Sequence, residues 1–217
     1  MKRLFTILTV ILSFCSFPDA AMARERGFKS LFNGKDLSGW MGALDGYEVK
    51  DGAIYAKDGF NNIYTEKEYS DFVLRFEFCF DVPGVNSGIG IRTPMGVDAA
   101  YHGMCEVQIL DHDAPIYKGL RDYQVHGSVY GIAPAKRIRH KEYGQWTSQE
   151  IRVEGQHVTV KVDGEVVVDA EVSESIDGYK HPGILNTCGY IGILGHGEGV
   201  RFRNIRIKPL KNNRYEN

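Results

Sequence analysis

Short runs in which apolar and polar residues alternate recur along the chain and predict β-strands. In the run DFVLRFEFCF (71–80), large apolar side chains alternate with Arg75 and Glu77. Successive side chains of a strand point to opposite faces, so this pattern predicts a strand with one buried face. Further runs of this kind are GIGIR (88–92), CEVQILD (105–111), QEIRVEG (149–155) and HVTVKV (157–162). Many short strands separated by turn signals are typical of an antiparallel sandwich or barrel.

Two local features refine this all-β prediction. The dipeptide Asp163-Gly164 separates two alternating runs and predicts a two-residue hairpin turn. In the last run, VRFRNIRIKPL (200–210), the apolar positions change parity at Arg203-Asn204, which predicts a β-bulge. No long amphipathic helix is predicted, so we expect one domain of two curved sheets packed face to face.

The N-terminus has the pattern of an export signal. A basic MKR is followed by the apolar run LFTILTVILSF, which is shorter than the ~20 residues that span a bilayer as a helix. The small residues of AMA (21–23) fit a cleavage site. These features predict a signal peptide at residues 1–23, a mature domain at 24–217 and a periplasmic or secreted location. Lipid anchoring at Cys15 is the less favoured alternative, because the bulky Phe14 precedes it. No later apolar run is long enough to be a transmembrane segment.

Charge and cysteine content exclude other classes of protein. The 217 residues carry a formal net charge of -2, and no basic stripe with interleaved aromatic residues indicates nucleic-acid binding. Cleavage after residue 23 leaves Cys79, Cys105 and Cys188, an odd number that includes at least one free thiol. Their spacing fits neither a metal site nor a disulfide framework, so we expect Cys79 and Cys105 to pack singly.

Polar side chains on three consecutive predicted strands form the candidate site. Glu106 and Gln108 share one face of their strand, and Arg75, Glu77 and Arg92 have the same polar parity in the two preceding runs. If the three strands are neighbours, these side chains form one charged patch. Ion pairing on a solvated surface explains each of them taken alone. Together with nearby histidines, they favour an active site.

Three histidines are candidates to join these residues: His102, which precedes the strand by a few residues, His126 and His196. Histidine titrates near neutral pH and therefore serves as an acid or a base without a large pKa shift. His126 is the strongest candidate, because Tyr123 and Tyr130 flank it on a short glycine-containing segment. The remaining histidines are expected at loop or surface positions: His112, His140, His157 and His181.

Asp111 and Asp113 follow the predicted strand of Glu106 and raise the question of a calcium site. Two aspartates and a histidine fall short of the six or more oxygen ligands that Ca²⁺ takes. Structural loop acids are therefore the preferred interpretation.

Ordered sequence blocks resemble those of the 3-keto-disaccharide hydrolase domain family. LFNGKDLSGW (31–40) is similar to the family's opening signature. The later blocks follow in order: EYSDFVLRFEF, NSGIGIR, EVQILD, GQWTSQEIRVEG, VDGE, GYIGILGHG and VRFRNIRIKPL. The resemblance covers residues 31–210. It implies a concanavalin-like jelly-roll β-sandwich, which agrees with the strand pattern, and an exported enzyme that acts on oxidised glycosides.

The resemblance also implies a particular chemistry. A ketone at C3 of the sugar acidifies the C2–H bond, loss of that proton gives an enolate, and the C1 substituent then leaves. Later addition of water makes the net reaction a hydrolysis. The substrate would be a 3-keto-glycoside or 3-keto-disaccharide, which a sugar-oxidising dehydrogenase would supply as a partner enzyme.

Such a site needs a base near C2, a positive group or donor at the C3 oxygen and an acid at the leaving oxygen. His126 or Glu106 is the predicted base. Arg92 is predicted to stabilise the enolate, with a divalent metal ion as the alternative cofactor. Candidate acids are Tyr130, His102 and His196. The residues expected to hold sugar hydroxyls are Arg75, Glu77, Tyr101 and Gln108.

Two other functions remain open at this point. A conventional retaining glycosidase needs two carboxyl groups ~5–5.5 Å apart, whereas Glu106 and Asp111 have opposite parity and Gln108 between them does not ionise. A non-catalytic glycan-binding module would rely on exposed aromatic platforms, yet Trp40 and Trp146 are expected to pack in the core. The charged candidate groove favours catalysis.

Overall fold

The computed structural model describes residues 26–57 and 62–210, so the predicted signal peptide and Cys15 lie outside the described residues. The described strands are β1 (Lys29–Ser30), β2 (Trp40–Gly42), β3 (Tyr47–Lys50), β4 (Ala53–Ala56), β5 (Asn62–Thr65), β6 (Phe72–Phe80), β7 (Asn86–Thr93), β8 (Cys105–Leu110), β9 (Trp146–Glu154), β10 (His157–Val162), β11 (Glu165–Glu171), β12 (Tyr190–Gly195) and β13 (Val200–Pro209). Helical structure consists of α1 (Ala99–His102) and the 3₁₀ turns Leu44–Gly46, Pro115–Tyr117 and Asp122–Gln124. In the described part of the chain, no helix has the length and apolarity needed to cross a membrane.

The strands form two antiparallel sheets. The large sheet has the order β11-β10-β9-β6-β13-β4-β3, with β1 beside β13, and the small sheet has the order β2-β5-β12-β7-β8. Beyond β8, Val129 forms an isolated β-bridge with Val107, so the segment around residue 129 lies along the edge of the small sheet. The predicted jelly-roll β-sandwich is confirmed.

One apolar core fills the space between the sheets. Phe72 and Phe76 of β6 point into it from the large sheet, and Ile91 and Val107 point into it from the small sheet. Burying such a side chain stabilises the fold by roughly 1.5–3 kcal/mol. Apolar and polar residues alternate along these strands because one face of each strand packs against the core and the other face points outward.

The predicted hairpin and bulge are both present. Val162 pairs with Glu165 across a turn in which Asp163 and Gly164 have φ values of 47° and 84°. Two positive φ values match the right-handed twist of the paired strands. In β13 the register against β6 shifts after Arg203, and Asn204 has a φ of 55°.

The cysteines are also as predicted within the described residues. Cys79 and Cys105 are buried, Cys188 is exposed, and all three are free thiols. Trp40 is buried in the core as expected. Trp146 differs, because it is only partly buried and the guanidinium of Arg203 lies 3.9 Å from its ring centroid.

The expectation of one patch across three neighbouring strands is wrong. β6 belongs to the large sheet, whereas β7 and β8 belong to the small sheet. Arg75 pairs with Glu150 (2.6 Å), and Glu77 pairs with Arg203 (2.7 Å), both across the large sheet. Arg75 and Glu77 are therefore separated from Glu106 by the full thickness of the sandwich.

Arg92 also departs from its predicted face. Its φ of 47° breaks the alternation at the end of β7, and the side chain is 1% exposed. The guanidinium pairs with Asp71 (2.8 Å) and donates to the carbonyl oxygens of Ser70, Gly155 and Asn186. Arg92 therefore ties β7 to three neighbouring segments, which is a structural role.

We expect Asp71→Asn to lower the free energy of unfolding by about 3–5 kcal/mol, because it leaves the buried Arg92 guanidinium without its charge partner. Denaturant titration measures this change. The matched control is Glu154→Gln in the exposed Arg152–Glu154 pair, which should cost no more than ~1 kcal/mol. Similar losses for the two variants would contradict the structural role.

Candidate active site

A pocket of about 380 Å³ lies on the outer face of the small sheet. This volume is within the range of small-molecule sites. Its floor comes from β7, β8 and β12, and one wall comes from α1. The residues that line it are Asn62, Asn86, Asp98, Ala99, Ala100, Tyr101, Glu106, Gln108, Tyr130, Leu194, Gly195 and His196.

Glu106 forms part of the floor and is only 5% exposed. It lies in β8, and a Cβ atom at Gly88 of the adjacent β7 would come 2.0 Å from its Oε1 atom. A residue with a side chain at position 88 would therefore displace the carboxyl group. The glycine gives Glu106 the space to lie over β7.

Burial sets the protonation of this carboxyl group. Desolvation, together with a smaller effect of the nearby carboxylate of Asp98, raises the pKa of Glu106 to about 8. Its buried Oε1 atom has no hydrogen-bond partner among the described residues. A carboxyl group that titrates near the working pH is suited to proton transfer.

Further polar atoms surround Glu106. The Nε2 atom of His196 lies 4.0 Å from its Oε1 atom, and burial lowers the pKa of His196, which favours the neutral imidazole. The buried oxygens Gln108 Oε1 and Asn86 Oδ1 accept no hydrogen bond from the described residues. These two oxygens are therefore available to accept hydrogen bonds from hydroxyl groups of a bound ligand.

Two tyrosines complete the pocket. Asp98 caps α1 by accepting a hydrogen bond from the backbone N–H of Ala100 (3.0 Å), which places Tyr101 at the wall. Tyr130 is positioned by its backbone N–H, which donates to the carbonyl oxygen of Glu106 (2.9 Å). Burial raises the pKa of Tyr101 to about 12, so its phenol remains a hydrogen-bond donor.

The sequence profile of a family described as "3-keto-alpha-glucoside-1,2-lyase-like domain" matches residues 27–208. The chain belongs to this family. A 3-keto-disaccharide hydrolase of Bacteroides thetaiotaomicron is 28% identical over 230 residues, which cover 85% of this chain and 79% of that protein. The family resemblance in the sequence is thereby confirmed.

Solved structures agree with this assignment. A "putative glycosyl hydrolase" of Parabacteroides distasonis is 29% identical, with a TM-score of 0.72 over 84% of this chain and 99% of that chain. A second one from the same organism is 25% identical, with a TM-score of 0.73 over 85% and 94%. The carbohydrate-binding module CBM66 of Bacillus subtilis, at 15% identity and a TM-score of 0.56 over 78% and 95%, shows the fold alone.

In this member of the lyase-like family, five predicted site residues come together in the pocket: Tyr101, Glu106, Gln108, Tyr130 and His196. Sequence reasoning missed Asn62, Asn86 and Asp98. Asn86 has the same parity as Gly88 in β7, which is a signal that could have placed it on this face. His102 adjoins Tyr101 but is exposed and does not line the pocket.

The structure does not support His126 as the base. The side chain is fully buried inside the sandwich, with its ring centroid 4.9 Å from that of Phe78 and 6.2 Å from that of Phe80. Its Nδ1 atom accepts a hydrogen bond from the backbone N–H of Leu110 (3.3 Å). His126 therefore faces the core, on the opposite side of the small sheet from the pocket.

His112 and His140 lie in loops, as expected, but neither side chain is exposed at the surface. His112 is 4% exposed, and the ring centroids of the two lie 4.3 Å apart beside His126. Asp111 is buried as well and accepts hydrogen bonds from the backbone N–H of Gly84 and the hydroxyl of Tyr143. This agrees with a structural acid.

Potential ligand atoms of His112, Asp113 and His140 lie within 4.8 Å of one another. The Nδ1 atom of His112 accepts the backbone N–H of His126 (3.1 Å), so neutral His112 carries its proton on Nε2. That nitrogen then has no lone pair for a metal. Two ligands remain, fewer than the three or four that zinc sites use, so this group does not form a ready metal centre.

The three clustered histidines should make the fold sensitive to acid. Burial lowers the pKa of His112 to about 4, that of His126 well below its ordinary value and that of His140 in the same direction. Their ordinary pKa is 6.5. The stabilisation of the folded state by neutral, buried histidines is therefore fully present above about pH 6.5 and is lost as the pH falls. We expect His126→Leu to reduce the loss of unfolding free energy between pH 7 and pH 4.

His157→Gln is the matched control. Hydrogen bonds to Asp169 and Glu171 raise the pKa of His157, so its stabilisation is present at low pH and declines as the pH rises. The control should therefore change the pH dependence with the opposite sign. If both variants shift the curve in the same direction, buried neutral histidines do not cause the acid sensitivity.

Proposed function

We propose that the protein cleaves glycosides oxidised to a ketone at C3, by removing the proton at C2 and eliminating the C1 substituent. The observation that carries this proposal is the buried carboxyl group of Glu106, which titrates near neutral pH beside unpaired acceptor oxygens. The relative named 3-keto-disaccharide hydrolase supports the choice of substrate.

Glu106 acts as the base. Its carboxylate takes the proton from C2, and the electrons of that bond form an enolate on the C3 oxygen. The enolate re-forms the ketone as the bond from C1 to the leaving oxygen breaks, which leaves a double bond between C1 and C2. Water then adds across that double bond, so the net reaction is hydrolysis.

The remaining pocket residues supply hydrogen bonds and carry the C2 proton to the leaving oxygen. The phenols of Tyr101 and Tyr130 donate hydrogen bonds to the enolate oxygen. These hydrogen bonds become stronger as negative charge develops on that oxygen. His196, 4.0 Å from Glu106, accepts the proton that Glu106 took from C2 and passes it to the leaving oxygen, which returns the imidazole to its neutral form and Glu106 to the carboxylate. Among the described residues that line the pocket, none is a lysine or an arginine. The phenols thus replace the predicted Arg92, and a divalent metal ion is the alternative electrophile.

The proposed reaction has consequences for partners and location. Its substrate contains a ketone, so an enzyme that oxidises a sugar hydroxyl must act first, which fits a sugar-oxidising dehydrogenase. The signal peptide predicted at residues 1–23 would place this chemistry in the periplasm or outside the cell.

A conventional two-carboxylate glycosidase is the second candidate. Asp98 and Glu106 both line the pocket, which favours it. Asp111, the partner that the sequence spacing indicated, does not line the pocket. Binding of glycan without cleavage is the third candidate, and the same experiment separates all three.

The protein should release nitrophenol from a 3-keto nitrophenyl glucoside and not from the plain nitrophenyl glucoside, because only the ketone acidifies C2–H. Release is followed by absorbance, with and without a chelator. Loss of activity on chelation would make a metal ion the electrophile. Cleavage of the plain glucoside would favour the two-carboxylate mechanism, and glycan affinity without release would indicate a binding module.

We expect Glu106→Gln to lower kcat/KM on the keto substrate by about 10²–10⁴-fold, the usual contribution of a general base. In the unsubstituted protein, kcat/KM should rise with pH and level off above about 8, because the base is the deprotonated form. The pH–rate profile measures this ionisation. A rate that falls through pH 8 would instead assign Glu106 as the acid. Glu154→Gln, far from the pocket, is the control for the loss of one carboxylate.

A further inference from the structure

An exposed tyrosine lies next to the pocket without lining it. Tyr179 belongs to an irregular segment between β11 and β12, and it is 66% exposed. Its ring centroid lies 6.2 Å from that of Tyr101, and the planes meet at 69°. Since Tyr101 lines the pocket, the exposed Tyr179 ring is in edge contact with a residue of the pocket wall.

The backbone around Tyr179 is held in place by a buried hydrogen bond between the side chains of His181 and Asp177. His181 Nε2 lies 2.9 Å from Asp177 Oδ2, and both side chains are almost fully buried, so His181 lies in a loop as expected but is not exposed at the surface. Asp177 Oδ1 accepts the backbone N–H of Tyr179 (2.9 Å), and the hydroxyl of Ser175 donates to the carbonyl of Tyr179 (2.7 Å). An exposed ring thus sits on a fixed backbone.

The same segment is fastened to both tyrosines of the pocket. The rings of His181 and Tyr101 have centroids 4.8 Å apart, and the backbone N–H of Gly183 donates to the carbonyl of Tyr101 (3.1 Å). Next to Tyr130, a Cβ atom at Gly131 would lie 2.2 Å from Asp177 Oδ2, so the turn packs directly on the Asp177 side chain. The position of Tyr179 relative to the pocket is therefore set by packing.

We infer that Tyr179 is a binding platform for the leaving half of the substrate, which is an aromatic aglycone or a second sugar. This inference rests on the proposed function. The pocket offers unpaired oxygens that suit the hydroxyl groups of the oxidised sugar, whereas Tyr179 offers an apolar face beside it. Aromatic rings supply a large contact area at a low cost in conformational entropy. Aryl glycosides and disaccharides should therefore bind more tightly than glycosides of small alcohols.

The test compares two substrates that differ only in the leaving half, the 3-keto nitrophenyl glucoside and the 3-keto methyl glucoside. We expect Tyr179→Ala to raise KM for the nitrophenyl substrate roughly 3- to 10-fold, with kcat little changed. KM for the methyl substrate should stay the same, because a methyl group does not reach the ring. Tyr179→Phe should behave as the unsubstituted protein, since the platform needs only the ring.

Ile116→Ala is the matched control, because Ile116 is 73% exposed and apolar but does not line the pocket. It should leave both KM values unchanged. An equal change for the two substrates in Tyr179→Ala, or no change at all, would overturn the inference.

Calorimetric binding in a Glu106→Gln background separates this inference from the proposed function. With turnover blocked, Tyr179→Ala should weaken the nitrophenyl substrate and not the methyl substrate. If that contrast appears while the unsubstituted protein cleaves neither, the platform stands and the proposed reaction fails. If cleavage occurs without the contrast, the reaction stands and the platform fails.

Discussion

The burial of one carboxyl group depends on the missing side chain at Gly88. A Cβ atom there would come 2.0 Å from Glu106 Oε1, so the carboxyl lies over β7 because that strand has only backbone at this point. Burial then shifts the pKa of Glu106 into the range where proton transfer is useful. The chemistry of the pocket therefore begins with a steric feature of the sheet.

The strand that holds Glu106 also holds the core. Val107 and Ile109 are fully buried between the sheets, while Glu106 and Gln108 face the pocket. A shift of β8 by one residue would exchange the two faces, which would move polar groups into the core. The packing that stabilises the sandwich therefore also fixes the position of Glu106, the proposed base.

The alternation of apolar and polar residues predicted correctly which face of a regular strand each side chain occupies. It gave wrong positions for residues where the regular alternation ends. The two faces of β8 were predictable because one side had to meet the core. Arg92 was misplaced because its positive φ turns the side chain inward, and His126 because its segment is irregular and has no parity to follow. Arg75 and Glu77 were misplaced for another reason, because consecutive strands that are joined by a short turn belong to different sheets.

The pocket lacks a cationic side chain among its described lining residues, and the proposed reaction is compatible with that. Proton transfer from C2 turns the Glu106 carboxylate into a neutral acid as the enolate forms. One negative charge moves across the pocket, and the total charge of the site stays the same. The burial that destabilises the Glu106 carboxylate also makes it a stronger base. It therefore reduces the difference between the pKa of Glu106 and the pKa of the C2–H group. Hydrogen bonds from Tyr101 and Tyr130 then need only to favour the charge at its new position.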